Sequence, residues 1–384
     1  KPGDRAHQVV VIPDGGTEMR RYSVKGLEEI FPGEQGPVLL TSPQAIFYTT
    51  GFYTTARRPN QIGNQCVLMD EQFTLFFCPR NWGDVIRPQL DSQITLIPCD
   101  PSPAALAEAV CRALPRKPER LGLEEETIIL PLYLALREQL PETSLWDVTS
   151  RLYRARMKKT PAEIAGLRRS ANLAKEAMEH ACDILRPGVA ELDVVAELEY
   201  FMRKNGSEGT PFTMKVLSGD NALRTINLPG TRKLAQGEIV LLDFGTTVGN
   251  YASDWTRSFM LGQPTREQQA LYELVWRIER TCINRIRPGI SLQSLMDTAF
   301  DVLRGHPFET WFNPYLGHSI GIDSVERPAI VPGVQGCLEE NMVLTIEPGV
   351  YVPGVGGIRI EDEILVTSEG PEILTGLRTE RFVL

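Results

Sequence analysis

The sequence predicts an α/β domain followed by a larger α+β domain built from a duplicated unit. Three observations carry that reading. Short apolar runs alternate with helical stretches up to about residue 152, a capped helix start stands at Thr160, and two segments that begin alike open at Arg186 and Arg287.

At 384 residues the chain exceeds one typical core, so two domains are expected. A hydrophobic content of 42% and a charged content of 23% belong to an ordinary globular chain. The formal net charge of −9 argues against a nucleic-acid or anionic-membrane partner, because no basic stripe offsets it. Seven cysteines, at 66, 78, 99, 111, 182, 282 and 337, form no C-x-x-C pair and are odd in number. Their expected role is that of small buried hydrophobes in a reducing compartment. No apolar run follows Lys1-Pro2-Gly3-Asp4 and no stretch of 18 apolar residues occurs, so a cytoplasmic location is expected unless a segment has been removed.

In the first domain (1–152) "GPVLLT", "QCVLMD", "FTLFFCP" and "QITLIP" read as strands, "SPAALAEAVCRALP" and "PLYLALREQLP" as helices. The composition turns basic at "RLYRARMKKTPAEI". There Thr160 as N-cap, Pro161 at the first helical position and Glu163 three residues after the cap predict a capping box. The second domain is therefore placed at 153–384.

That domain repeats itself. Two helices are expected to lead into "RPGVAELDVVAELEYFMRKNG", and "RPGISLQSLMDTAFDVLRGHP" has the same Arg-Pro-Gly start and helical period. A strand follows each, "GEIVLLD" ending at Asp243 and "NMVLTIE" ending at Glu347. In both halves a leucine, Leu234 or Leu338, stands nine residues before the acid.

A second acid follows each strand. A hairpin turning at Val248–Gly249 would set Asp254 directly opposite Asp243, and a turn centred on Gly354 would set Glu361 opposite Glu347. Taken singly, each acid reads as a solvated hairpin residue. Matched in two hairpins of a duplicated unit, the four read as one poorly hydrated site. Four like charges there need positive partners, and two divalent cations would neutralise them. Oxygen-rich ligation with one imidazole suits Mn²⁺, Co²⁺, Zn²⁺ or Fe²⁺, and His318 is the expected imidazole.

His318 lies in "GHSIG", which also matches the G-x-S-x-G turn of a serine hydrolase. That chemistry places a histidine after the serine. The histidines are His7, His180, His306 and His318, none beyond Ser319, so the serine reading fails.

"LDFGTTVGNYASDWTRSF", "GHSIG", "TIEPGVY" and "GIRIEDEILVT" resemble the signatures of the pita-bread (M24) metallopeptidases, which include Xaa-Pro dipeptidase (prolidase), aminopeptidase P and methionine aminopeptidase. "IFYTTGFYTTARRP" resembles the creatinase-like N-terminal domain of the proline-specific branch and of creatinase. The resemblance spans essentially the whole chain. It implies a creatinase-like α/β domain, a duplicated pita-bread α+β domain and hydrolysis of short peptides, with proline beside the scissile bond. It implies that Asp243 binds one metal, that Asp254 and Glu361 bridge two, and that His318 and Glu347 complete the second. A hydroxide bridging the two ions would be the nucleophile and Glu347 the proton carrier, with Arg359 bracing site and substrate. A homodimer is also expected from the resemblance.

Three departures bear on substrate handling. Where the family carries accessory histidines, this chain has Ile226, Pro314 and Val325. Asn227 could enter the first position by a one-residue slip, and Tyr315 or Trp311 could replace a lost donor. Arg57 and Arg58 either reach from the N-terminal domain to cap the cleft or are solvated loop residues, and Trp255 either walls the pocket or belongs to the core. Arg224, Arg232 and Arg327 could instead form a pocket for a C-terminal carboxylate, giving a carboxypeptidase of the same fold. A non-catalytic metal-binding or interaction module is the remaining alternative.

Overall fold

The computed structural model describes residues 24–34, 36–52, 64–376 and 382–384. The chain divides into two compact units, Lys1–Leu152 and Tyr153–Leu384.

The first unit is one six-stranded sheet. Its strands are β1 (Val38–Leu40), β2 (Cys66–Met69), β3 (Thr74–Pro79), β4 (Ile94–Cys99), β5 (Arg120–Leu123) and β6 (Ser144–Asp147), in the order β4-β3-β2-β1-β5-β6. The β1–β2 and β2–β3 pairs are antiparallel, and the other three pairs are parallel. The four strands expected from apolar runs are all present. The short β5 and β6, whose apolar content is low, carry no such signal. Helices Pro103–Ala113 and Leu130–Gln139 bury Leu106, Val110, Leu132 and Leu136 against Leu39, Leu68 and Phe77 of the sheet. Ser42 caps helix Pro43–Thr50, accepting from Ala45 N, and its own hydroxyl donates to the buried Glu124.

In the second unit the capping box forms as its residues predict. Thr160 Oγ1 accepts from Glu163 N at 3.3 Å and Glu163 Oε2 accepts from Thr160 N at 2.8 Å. Where two helices were expected, one continuous helix, Pro161–Ile184, leads to Arg186. No proline or glycine cap interrupts its 3.6-residue period.

The duplication is visible atom by atom. Gly188, at φ 92°, donates to the Leu234 carbonyl at 2.8 Å, and Gly289, at φ 88°, donates to the Leu338 carbonyl at 2.8 Å. Each turn then opens a helix, Glu191–Lys204 or Leu292–Leu303. The helix pairs of the two halves cover separate cores, one around Leu242, Phe244 and Trp255, the other around Leu344, Ile346 and Ile364.

The strands of the first half are β7 (Lys215–Ser218), β8 (Ile239–Phe244), β9 (Thr247–Val248), β10 (Tyr251–Ala252) and β11 (Trp255–Met260). The second half holds β12 (Phe312–Asn313), β13 (Gly317–Ser319), β14 (Glu326–Ile330), β15 (Val343–Ile346), β16 (Gly349–Val352), β17 (Gly356–Arg359), β18 (Asp362–Thr367) and β19 (Gly370–Ile373). They make sheets of order β11-β8-β7, β12-β16-β17 and β14-β13-β15-β18-β19, with β9–β10 a two-stranded ribbon.

Cys66, Cys78, Cys99 and Cys282 are buried free thiols, Cys111 and Cys182 are half-buried and Cys337 is exposed. Among the described residues no helix is long and apolar enough to cross a membrane.

Candidate metal centre

The acid-bearing hairpins differ from the sequence expectation in one register. The turn after β9 is centred on Gly249 (φ 58°) and Asn250 (φ 67°), and Val248 pairs with Tyr251 across it. Two left-handed residues make the two-residue turn whose twist suits a hairpin. The turn thus lies one residue later than Val248–Gly249. Asp243 pairs with Thr256, and Asp254 is displaced by two residues instead of standing opposite. An even displacement keeps both carboxyls on one face, so the site survives the correction. In the second hairpin Ile346 pairs with Asp362 and Gly349 with Arg359, one common register that brings Glu347 and Glu361 opposite between the two ladders.

His318 comes from β13, pinned between β14 and β15. Gly317 permits the close approach, since a Cβ there would collide with the Thr345 carbonyl. Thr345 Oγ1 accepts the His318 N–H at 3.2 Å. Imidazole Nδ1 lies 3.0 Å from the Ser319 carbonyl oxygen, which can only accept, so Nδ1 carries the proton. Nε2 is thereby left to face Glu347 Oε1 at 3.2 Å and Asp254 Oδ2 at 3.6 Å. Ser319 sits in a strand, not a strand-to-helix elbow, and its hydroxyl donates to the Val343 carbonyl.

Ligand atoms of Asp254, His318 and Glu361 all lie within 4.8 Å of one another, and all three residues are buried. Among the described residues, Asp254 Oδ1 and Glu361 Oε1 are buried without a hydrogen-bond partner. Burial pushes the Asp254 carboxyl up to about 7, against the lowering hydrogen bond to His318, with Asp243 and Glu347 raising it further. Burial and the carboxylates of Asp254, Glu347 and Asp243 push Glu361 well above the ordinary range. Burial opposes charge on His318, but the hydrogen bonds to Asp254 and Glu347 outweigh it and raise its pKa well above the usual value. Burial also opposes charge on Glu347, yet His318 and Arg359 hold it below the ordinary carboxylate range. Orphaned carboxylate oxygens beside one correctly oriented imidazole are the donor set of a divalent cation, and these residues fit one.

Asp243 stands differently. Its Oδ2 accepts from Arg359 Nη2 and lies 3.5 Å from Lys215 Nζ. Arg359 is buried, donating also to Thr256 Oγ1 and Tyr351 Oη, each at 3.1 Å. Its Nε is 3.9 Å from Glu347 Oε2.

Residues expected to handle substrate are scattered. Ile226 is 85% and Val325 56% exposed, and Pro314 is exposed. Asn227 donates its side-chain amide to the Asn221 carbonyl, so it is held within its own loop. Arg224 is exposed, and the exposed Arg327 lies over the Tyr153 ring at 5.0 Å. Arg232 is taken by Glu238 and by Ser218. Tyr315 is half-buried with its ring centroid 6.2 Å from that of His318, while Trp311 is exposed. Trp255 belongs to the core, its indole donating to Asp362 Oδ1. Arg57 and Arg58 lie outside the described residues.

Sequence reasoning overlooked Lys215, Thr256 and Glu363. Glu363 Oε1 accepts the Asp254 N–H at 2.9 Å, and burial raises its pKa well above the ordinary value. Its signal was the period of two in "IEDE", which puts Glu363 on the face of Glu361. Lys215 was the lone charge in the strand "KVLS".

Residues 165–368 match the model of metallopeptidase family M24, and residues 37–158 match the creatinase/prolidase N-terminal domain. The chain belongs to metallopeptidase family M24, with the creatinase-like domain preceding the pita-bread domain. It is 30% identical to an uncharacterised peptidase of Staphylococcus aureus (strain USA300), over 91% of this chain and 97% of that one. Among solved structures it resembles the Xaa-Pro dipeptidase from Bacillus anthracis, with a TM-score of 0.83 and 29% identity over 91% of this chain and 95% of the other. The X-Pro aminopeptidase from Thermotoga maritima superposes with a TM-score of 0.81 and 26% identity, covering 91% of this chain and 98% of that one.

Proposed function

We propose that the chain hydrolyses the bond beside proline in short peptides, with two divalent cations held by Asp243, Asp254, His318, Glu347 and Glu361. The observation that carries the reading is the buried cluster of Asp254, His318 and Glu361, with two carboxylate oxygens left unpartnered. Divalent ions bound there would supply Lewis acidity and make water more acidic. Nδ1–H of His318, held by the Ser319 carbonyl, makes Nε2 the nitrogen that would bind a cation in place of the proton favoured by Asp254 and Glu347. Glu347, ionised by its neighbours, takes a proton from the attacking water and returns it to the leaving amine. Arg359 fixes the Asp243 carboxylate and faces Glu347, bracing both ends of the site.

The proline preference rests on likeness to relatives named for Xaa-Pro dipeptidase and X-Pro aminopeptidase activity. Reading of the peptide's amino end is the proposed direction. Arg232, one of three arginines considered for a carboxylate pocket, is already paired within the fold. The test uses Xaa-Pro tripeptides, N-acetylated or C-amidated, followed by mass spectrometry with added Mn²⁺, Co²⁺ or Zn²⁺. Cleavage is expected to stop on N-acetylation and on chelation, and to return with metal. Inhibition by amidation alone would mean a carboxypeptidase. Undiminished hydrolysis by metal-free protein would overturn the reading.

A further inference from the structure

We propose that Lys215 competes with a divalent cation for the Asp243 carboxylate and so weakens that end of the metal centre. The inference rests on the metal reading above, and concerns a residue outside the expected ligand set. Lys215 and Asp243 are Cα partners in the antiparallel β7–β8 ladder. Opposed residues project from one face, so the ammonium is delivered to the carboxylate by the sheet itself. Nζ lies 3.5 Å from Oδ2, the same oxygen that receives Arg359 Nη2.

The two cations differ in freedom. Arg359 is buried and held by Thr256 and Tyr351, a fixed part of the site. The Lys215 side chain is 25% exposed and carries its charge on a flexible stem, so it can occupy the Asp243 position or leave it. At the other end, among the described residues, no lysine or arginine forms an ion pair with Asp254 or Glu361. Oxygens of both residues there are buried and unpartnered.

An ion approaching Asp243 therefore meets a carboxylate already neutralised, and must either displace the ammonium or sit beside a like charge. In a poorly hydrated site that repulsion is weakly screened. Among the described residues, an ion approaching Asp254, His318 and Glu361 meets no lysine or arginine paired with those acids, only the imidazole that would become its ligand. Lys215 thus sets the occupancy of the Asp243 end.

The experiment is calorimetric titration of Mn²⁺ into the chelator-stripped full chain, wild type against Lys215→Met, Lys215→Gln and Lys215→Arg. Wild type is expected to bind one ion tightly and a second weakly. Removing the charge in Met or Gln should tighten the second at least about tenfold, with the first changed by less than about twofold. Lys215→Arg, which keeps a cation, should leave the second ion weak. An intact first class in a variant reports a folded site. An unchanged second class in both Met and Gln variants overturns the proposal while leaving the metal reading standing. Wild-type protein that binds no Mn²⁺ overturns both.

Discussion

Thr256 and Glu361 face each other across an antiparallel bridge that joins the two halves of the duplicated domain. The Glu361 N–H donates to the Thr256 carbonyl at 3.1 Å, and Thr256 Oγ1 donates to Glu361 Oε2 at 2.6 Å. Because Thr256 also pairs with Asp243 in the β8–β11 ladder, one threonine ties together the acids of both hairpins. Arg257, buried beside it, donates to the carbonyls of Thr256 and Glu361 and to Asp362, closing the seam.

Replacing Thr256 by valine keeps the shape and removes the hydroxyl that orients Glu361 and receives Arg359 Nε. A loss of about 2 kcal/mol is expected, lowering the melting temperature by roughly 4–8 °C. Metal affinity should fall by about 10–100-fold, the usual cost of a lost outer hydrogen bond. Thr256→Ser should recover most of both. Calorimetry and a thermal melt on the three proteins decide it, and unchanged affinity in the valine variant would show that Thr256 does not orient Glu361.

Glu326 offers a test of pH dependence. It is buried, with its carboxylate on Arg156 and on Lys159 Nζ, the latter at 2.8 Å. Burial would raise its pKa, but the two cations outweigh burial and bring it from 4.5 to about 2. A folded-state pKa below the unfolded one gives stability that is complete above about 4.5 and is lost as pH falls through about 2. Glu326→Gln lacks that contribution and leaves buried cations under-compensated, at a cost on the order of 3 kcal/mol near neutrality. Its melting temperature should be roughly 6–12 °C lower. The gap between variant and wild type should narrow on acidification below pH 4.5, and a gap that stays constant would refute the account.

Ser319 is expected to be dispensable for chemistry. Its hydroxyl donates to the Val343 carbonyl within the sheet, and His318 Nδ1 bonds the Ser319 backbone carbonyl instead of that hydroxyl. Ser319→Ala should cost about 1 kcal/mol of stability. It should retain metal-dependent turnover, and a fluorophosphonate probe should not label the wild type. Loss of turnover in a folded, metal-loaded variant would restore the nucleophile reading of "GHSIG".

Much of this molecule is written locally. The capping box at Thr160 needs three adjacent residue types and forms as they dictate. The duplication survives as repeated turns because Gly188 and Gly289 each supply the left-handed conformation that starts the same hydrogen bond. The common face of Asp243 and Asp254 follows from a period of two, which tolerated the one-residue error in the turn.

What the acids touch was decided elsewhere. Whether Asp243 meets an ammonium depends on β7 pairing with β8, a choice made between strands that share no turn. The Thr256–Glu361 contact joins residues 105 apart in the chain, and Glu363 reaches Asp254 across 109. Alternation along a strand is a property of the backbone, so sequence alone determined the fold class and the face on which the acids stand. The partners of each carboxylate arise only when separate hairpins pack, because burial, cross-strand register and the loss of water are set by the assembled unit. Tertiary structure therefore decided that Asp254, His318 and Glu361 form the cation-hungry cluster while Asp243 is held by Arg359 and Lys215.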